Sequence, residues 1–285
     1  MDAVQKTLEN KNNTNNIIKY SLVLLVFIGA LFLSTQNDGP SKFPKVVTDE
    51  FTFTAWVNEG EDYLKKNYRW ITKILANYIK AGYYFLEDFL LESPWILVAA
   101  ILTLPCFIVG GLKLGLFSCF VIYFWGAVGL WEASLQTVAL MGLSVFLCVF
   151  FGVLLGIACS QSDRFENFMK PVLDTMQVMP AFVYLFPALF FFGIGGAPAI
   201  LATMIYSMPP IIRLTNTGIR QVSKETVESA TSFGSSKLQL LLKIKIPMSL
   251  PSIMMGINQV IMMALALVVL ACFIGAEGIG GQVWQ

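Results

Sequence analysis

Apolar runs long enough to approach the thickness of a bilayer recur along this chain, and they limit its fold more than any other feature. A helix rises 1.5 Å per residue, so about 20 residues cross a hydrocarbon core of ~30 Å. Such runs lie near Tyr20–Ser34, Trp95–Gly110, Leu114–Trp131, Gln136–Ser160, Met176–Ile194, Ala199–Ile212 and Ser252–Ile274. Read as helices, they predict an all-α, polytopic membrane protein with about seven spans.

Composition excludes several function classes. Charged residues make up only 13% of the 285 and hydrophobic ones 56%, with a mean hydropathy of +0.69. Soluble domains carry roughly 25% charge, so the deficit points to lipid as the solvent. A net charge of +1 gives nucleic acid no reason to bind. Histidine is absent, which removes the commonest general base and zinc ligand. Cys106, Cys119, Cys148, Cys159 and Cys272 all fall in apolar runs without C-x-x-C spacing, and read as small buried hydrophobes. No G-x-x-x-x-G-K-[ST] occurs, so no phosphate-cradling loop is expected in this chain. Catalytic residues, metal ligands and a resident cofactor are therefore not expected, nor is enzymatic activity.

Four regions follow. Residues 1–19 read as a cytoplasmic tail and 20–34 as a membrane anchor. Lys19 before a short apolar core also fits a signal peptide, but no small-x-small cleavage site follows cleanly, which favours a retained anchor. Residues 35–94 begin with Pro40 and Pro44. They continue as a helical pattern of Tyr63, Leu64, Tyr68, Ile71, Leu75, Tyr78, Ile79 and Leu86, interspersed with Lys65, Lys66, Arg69, Lys73 and Lys80. Aromatic amphipathic helices of this kind suit the membrane–water boundary, so a periplasmic segment with an interfacial helix is expected. A helix of a small soluble domain is the alternative. Residues 95–285 form the transmembrane domain, with a basic loop over 213–250.

Orientation follows from that basic loop. Arg213, Arg220, Lys224, Lys237, Lys243 and Lys245 face only Glu225 and Glu228 there. Arg164 and Lys170 follow the fourth run, and Lys6, Lys11 and Lys19 precede the first. Glu132–Leu135 and Gly195–Pro198 have no positive residue. All three basic regions fall on one side of a seven-span count, which the positive-inside bias makes cytoplasmic.

The stretch ESATSFGSSKLQLLLKIKIPMSLPSI, Glu228–Ile253, cannot be another span. Each Lys or Arg at a span centre costs roughly 2.5–3.5 kcal/mol, against about 0.5 returned per leucine. Val222, Thr226, Ala230 and Phe233 form a stripe at helical spacing. Gly234 falls where a helix end needs a left-handed residue. Ser236 with Gln239 reads as a capping box opening a second helix that carries Leu238, Leu241, Leu242 and Lys245. Pro247 is expected to stop that helix or turn it towards the bilayer. On local pattern alone, a solvated connecting loop remains open.

Glu228-Ser229-Ala230, Gly234 and Ile244-x-Ile246-Pro247 resemble the E-A-A-x-x-x-G-x9-I-x-L-P loop of ABC importer permeases, with Ser229 and Ile246 as small departures. Leu173–Gly195, "LDTMQVMPAFVYLFPALFFFGIG", resembles the permease subunits of glycine betaine and proline betaine importers, as do "MPPIIRLTNTGI" and "LPSIMMGINQVIMMALALVVLA". The resemblance implies a type I ABC importer permease fold in the inner membrane. It implies that Glu228, Ser229, Ala230, Gly234, Ile244, Ile246 and Pro247 belong to a loop docking on a separate ATPase subunit that uses the ATP. It also implies an external substrate-binding protein and a quaternary ammonium osmoprotectant as cargo. One loop per chain and two grooves on an ATPase dimer imply two permease copies about a two-fold axis. Phe182, Tyr184 and Phe186 are candidates for the solute path, although aromatics at this density also fit a core or a lipid-facing surface. Gly152 and Gly156 make a G-x-x-x-G suited to close helix packing.

Two readings of other classes stay open. An ion-coupled secondary transporter usually buries acids or bases at membrane depth. Here Glu132 and Glu277 sit at expected outer edges and Asp174 at an inner one. A non-transporting membrane scaffold is the other. Relatives of this type usually continue past a stretch like Gly278–Gly281 into a further span, whereas this sequence reaches Gln285 directly after it. A truncated product, a split gene and a short variant all fit that observation.

Overall fold

A computed structural model describes residues 19–30, 32 and 53–284. The tail, Pro40 and Pro44 lie outside the described residues. The chain divides into two units, Met1–Asn67 and Tyr68–Gln285. In the first unit, α1 (Lys19–Ala30) is apolar but shorter than a span. The helix α2 (Phe53–Glu92) begins there and continues into the second unit. All regular structure among the described residues is helical.

Within the second unit, α2 turns Ala76, Ile79, Tyr83, Glu87 and Leu90 inward at three- and four-residue intervals. Trp70, Ile74, Tyr78 and Phe85 face outward, an aromatic surface suited to the membrane boundary. The buried face takes Ile79 from the sequence pattern, while Ile71, Leu75 and Tyr78 stay on the exposed one. Packing partners set it. Tyr83 lies against Gly196, where an added Cβ would come within 3.1 Å of the ring, and Gly82 meets Leu143.

The helix α3 (Trp95–Ala127) is broken at Gly111, whose φ of 71° and ψ of −174° are not helical. Its arms fold back on each other. Ala99 and Thr103 of one arm line the same cavity, of about 720 Å³, as Ile122 and Tyr123 of the other. Glycine adopts a positive φ without a Cβ penalty, so the bend falls there.

A three-helix core follows: α4 (Trp131–Gln161), α7 (Gly196–Arg220) and α10 (Ile246–Leu270). Lipid tails are as apolar as leucine, so helices associate here through close van der Waals packing. Glycines allow that approach. A Cβ on Gly152 would stand 2.2 Å from Ile211, and one on Gly156 would stand 2.6 Å from Thr215. Towards α10, a Cβ on Gly256 would reach 2.7 Å from Ile211, and one on Gly218 would reach 2.7 Å from Ser252. The helix α7 is therefore packed closely against both α4 and α10, with Ile211 meeting a glycine of each, and it stays helical through the buried Pro209 and Pro210. It runs on to Arg220, so Arg213–Arg220 belongs to α7 and not to a loop.

Between α4 and α7 the chain does not cross straight. The helix α5 (Asp163–Val178) meets a 3₁₀ turn (Ala181–Tyr184) and α6 (Leu185–Phe192) at 112°. Extended Met179 and Pro180 make the break. A 3₁₀ turn (Ala271–Ile274) and α11 (Ile279–Trp284) close the described chain. Among the described residues four helices are long and apolar enough to cross a membrane, or five if the bent pair counts as one span. Three features separate this count from the expected seven. The helix α1 is short, the runs Trp95–Gly110 and Leu114–Trp131 share the folded α3, and Met176–Ile194 is bent.

Candidate functional site

The site is built at the end of the core where α7 passes into α10. Ser223 opens α8 (Lys224–Ser232) by accepting a hydrogen bond from the Thr226 N–H. The helix ends on Gly234, with φ of 82°. Ser235 N–H donates to the Ala230 carbonyl at 3.1 Å and Gly234 N–H to that of Thr231 at 2.9 Å, the paired bonds of a Schellman motif. The expected capping box is present. Gln239 N–H donates to Ser236 Oγ at 3.3 Å, and Ser236 N–H donates to Gln239 Oε1 at 2.9 Å. That box opens α9 (Lys237–Leu240).

Pro247 does not end this second helix. A π-helical turn (Leu241–Lys245) follows α9 and leads into α10 without a break, so one helical rod runs Lys237–Ile274. Pro247 sits at the start of α10, directly after the π turn. Ile244 and Ile246 are half-buried, and Pro247 is exposed.

Glu228 and Ser229 are exposed, while Ala230 is buried. Phe233 is 90% exposed, which departs from the expected stripe with Ala230 because Phe233 is the helix cap, outside the helical repeat. With Leu238 and Leu242 also exposed, the loop carries apolar side chains into solvent. Beside it, Arg220, Val222, Val227, Glu228 and Lys245 line a cavity of about 340 Å³.

Arg220 ties this loop to three helices. Its Nη1 donates to Asp163 at 2.6 Å, its Nη2 reaches Glu166 at 3.1 Å and the Cys159 carbonyl at 2.9 Å, and its Nε donates to Asn216 at 3.0 Å. Asn216 in turn donates to Glu166 at 3.0 Å, and Lys170 pairs with Glu166 at 3.1 Å. Burial alone would raise the Glu166 carboxyl. The hydrogen bonds from Asn216 and Lys170, with the charge of Arg220, outweigh burial and hold it below its ordinary value. Arg213 pairs with Asp174 one layer further in. In the sequence Arg220 counts only as a loop charge. Its position seven residues after Arg213, on one helix face, is the signal that points to more.

A second polar junction lies at the other end of α4. Gln136 Nε2 donates to Glu87 at 3.1 Å and to Glu277 at 2.8 Å, and Ile279 N–H donates to Thr137 at 2.9 Å. These bonds join α2, α4 and the segment before α11. Phe182, Tyr184 and Phe186 are not brought together on one surface. Tyr184 is buried, its hydroxyl donates to the Met176 carbonyl, and its ring meets Tyr206 edge-on at 5.5 Å. Phe182 and Phe186 are exposed. Of the cysteines, Cys148 and Cys159 are buried while Cys119 is exposed.

This arrangement is matched by known sequences. A family model described as "Binding-protein-dependent transport system inner membrane component" matches residues 148–285. The chain is 44% identical over 219 residues to the glycine betaine/carnitine transport permease protein GbuB of Listeria monocytogenes, covering 75% of this chain and 76% of that protein. It is 36% identical over 232 residues to the glycine betaine/proline betaine transport system permease protein ProW of Escherichia coli, covering 80% of this chain and 65% of that protein. The chain thus spans just under two thirds of ProW. A solved MetNI methionine ABC transporter in inward-facing conformations aligns with a TM-score of 0.47 at 17% identity, covering 51% of this chain and 74% of that one. The chain belongs to the binding-protein-dependent transport permeases, the inner-membrane components of such systems. The expected kinship with glycine betaine and proline betaine permeases is met, and so is the all-α polytopic fold class.

Proposed function

We propose that this chain is the membrane-spanning subunit of an ATP-driven importer for glycine betaine or a related quaternary ammonium osmoprotectant. The observation that carries the reading is the exposed two-helix loop with its helical continuation into the core. A rod that begins in solvent at Lys237 and ends at Ile274 conveys displacement of the loop into α10. Phe233, Leu238 and Leu242 give a partner's groove apolar anchors. Glu228, Ser229, Ala230, Gly234, Ile244, Ile246 and Pro247 are its coupling residues, Gly234 by setting the angle between α8 and α9. The partner is a separate ATPase, with a substrate-binding protein outside and a second permease copy completing the assembly. Two docked ATPases have to supply about 5.5 kcal/mol to reverse a 1:99 conformational balance.

Cargo follows from charge. The helix α4 after Glu132, α7 before Arg213 and α10 throughout carry no Asp, Glu, Lys or Arg. A zwitterion without net charge needs no fixed counter-ion, whereas phosphate calls for Arg or Lys along its path. The test is reconstitution with the ATPase and binding protein, followed by uptake of labelled glycine betaine against a phosphate control. ATP-dependent betaine uptake is expected. Phosphate uptake without betaine uptake refutes the cargo, and failure of any ATPase to co-purify or be stimulated refutes the coupling role.

A further inference from the structure

We propose that Asn258 and Gln259 line the solute path and hydrogen-bond the carboxylate of a passing zwitterion. The inference rests on the permease reading and adds a recognition site to it. Both residues stand at the midpoint of α10, a helix without a single charge. Both side chains are exposed, and neither takes part in a hydrogen bond among the described residues.

That combination is not stable against lipid. A carboxamide has two N–H donors and a carbonyl acceptor, and hydrocarbon satisfies none of them. Several hydroxyls in the same spans solve the problem within their own helix, while those of Ser134, Ser207 and Thr215 are buried without a partner among the described residues. Thr103 donates to the Ala99 carbonyl at 2.8 Å, Ser144 to that of Leu140 at 2.7 Å, and Thr203 to that of Ala199 at 2.7 Å. Gln136, Gln161 and Asn216 lie near helix ends and are bonded there. The two amides of α10 have neither resort, so the sector of about 100° that they span meets water or a polar ligand.

The surroundings define that ligand. Met254 and Met262 flank Asn258 at four-residue spacing, and Met255 sits one turn below Gln259. These methionines are 53%, 67% and 57% exposed, a soft, polarizable lining for methyl groups. Gly256, Val260 and Ala264 hold the opposite face buried, with Gly256 against Ile211, so the amides are presented by a helix fixed from behind. A quaternary ammonium group has no N–H to offer a carbonyl. The amide N–H groups therefore fit the carboxylate end, and the thioethers fit the methylated end. Neutral donors also release an anion more readily than a fixed cation does, as a path requires.

Two measurements on the reconstituted assembly test this. In a chain whose five cysteines are replaced, Asn258→Cys is expected to react with a membrane-impermeant charged methanethiosulfonate, with glycine betaine slowing the reaction. Ile108→Cys, on the exposed apolar surface, is the unreactive comparison. The Asn258→Leu/Gln259→Leu pair is expected to raise the KM for glycine betaine roughly 10-fold, the loss of a charge-assisted hydrogen bond. An Asn258→Cys thiol as inert as the comparison, whether covered by lipid or by a second copy, overturns the proposal, and so does an unchanged KM. If the unaltered assembly transports no betaine, the permease reading fails on its own, and thiol reactivity with betaine protection still decides the site.

Discussion

Replacing Gly156 with alanine tests the packing argument most directly. The new Cβ would stand 2.6 Å from the Thr215 Cβ and 2.9 Å from the Ile212 carbonyl oxygen. Carbon atoms pack at about 3.5–4.0 Å, so α7 has to retreat by a sizeable fraction of an ångström. It has little room, because Gly218 and Gly256 already hold it closely against α10. Overpacking of this kind costs about 1–3 kcal/mol. Alanine in place of a helical glycine returns about 0.5–1 kcal/mol. The net loss is up to about 2.5 kcal/mol and centred on about 1 kcal/mol, roughly 5-fold in the folded-to-unfolded ratio. Gly142 lies on the same helix with nothing within 4 Å of the point where a Cβ would stand, so Gly142→Ala should gain about 0.5–1 kcal/mol. The assay is thermal unfolding in detergent, followed by a thiol-reactive dye. Cys148 and Cys159, 0% and 2% exposed, report the core once Cys106, Cys119 and Cys272 are replaced. Gly156→Ala as stable as Gly142→Ala refutes the close-packing account.

Further outcomes follow from the loop and its anchorage. Gly234 has open space around it, so the cost of substitution is backbone strain alone, about 1–2 kcal/mol for a β-branched residue. ATPase stimulation should fall in the order Asn, Ala, Val at this position while membrane insertion persists; equal stimulation across the series removes the docking role. Glu166 is held below its ordinary carboxylate value, so its contribution to stability is present at neutral pH and is lost as pH falls through that lowered value. The acid side of a melting-temperature profile should therefore flatten in Glu166→Gln, and an unchanged profile argues against the Arg220 junction. A cysteine at Ser235 should label only from the cytoplasm and one at Glu59 only from outside; same-side labelling overturns the orientation.

Local features are legible in the sequence, and distant ones are not. Gly234 and the Ser236–Gln239 box act over a few residues, so their chemistry is visible in residue order. The membrane class follows from composition, because lipid tolerates so little charge. By contrast, Gln136 meets partners 49 and 141 residues away, and Arg220 bonds Asp163 from 57 away. Nothing in the spacing of those residues encodes their meeting. The bend at Gly111 is hidden for a different reason. Two apolar runs joined by Gly-Gly-Leu-Lys look alike whether the joint is a loop or a folded helix. Which face of α2 is buried is not written in the sequence, because aromatic residues mark both a buried stripe and a lipid boundary, and only the partner surface at Gly196 separates them.

The π-helical turn at Leu241–Lys245 gives the rod a rotary option. A π turn closes its hydrogen bonds one residue later than an α turn, so it stores one residue of slack. Drawing that residue into α geometry turns everything beyond it by about 100° and shifts it by about 1.5 Å along its axis. With α10 held against α7 at Gly256, that turn falls on α9 below it, and a small pull on the loop re-aims Leu238 without disturbing the core.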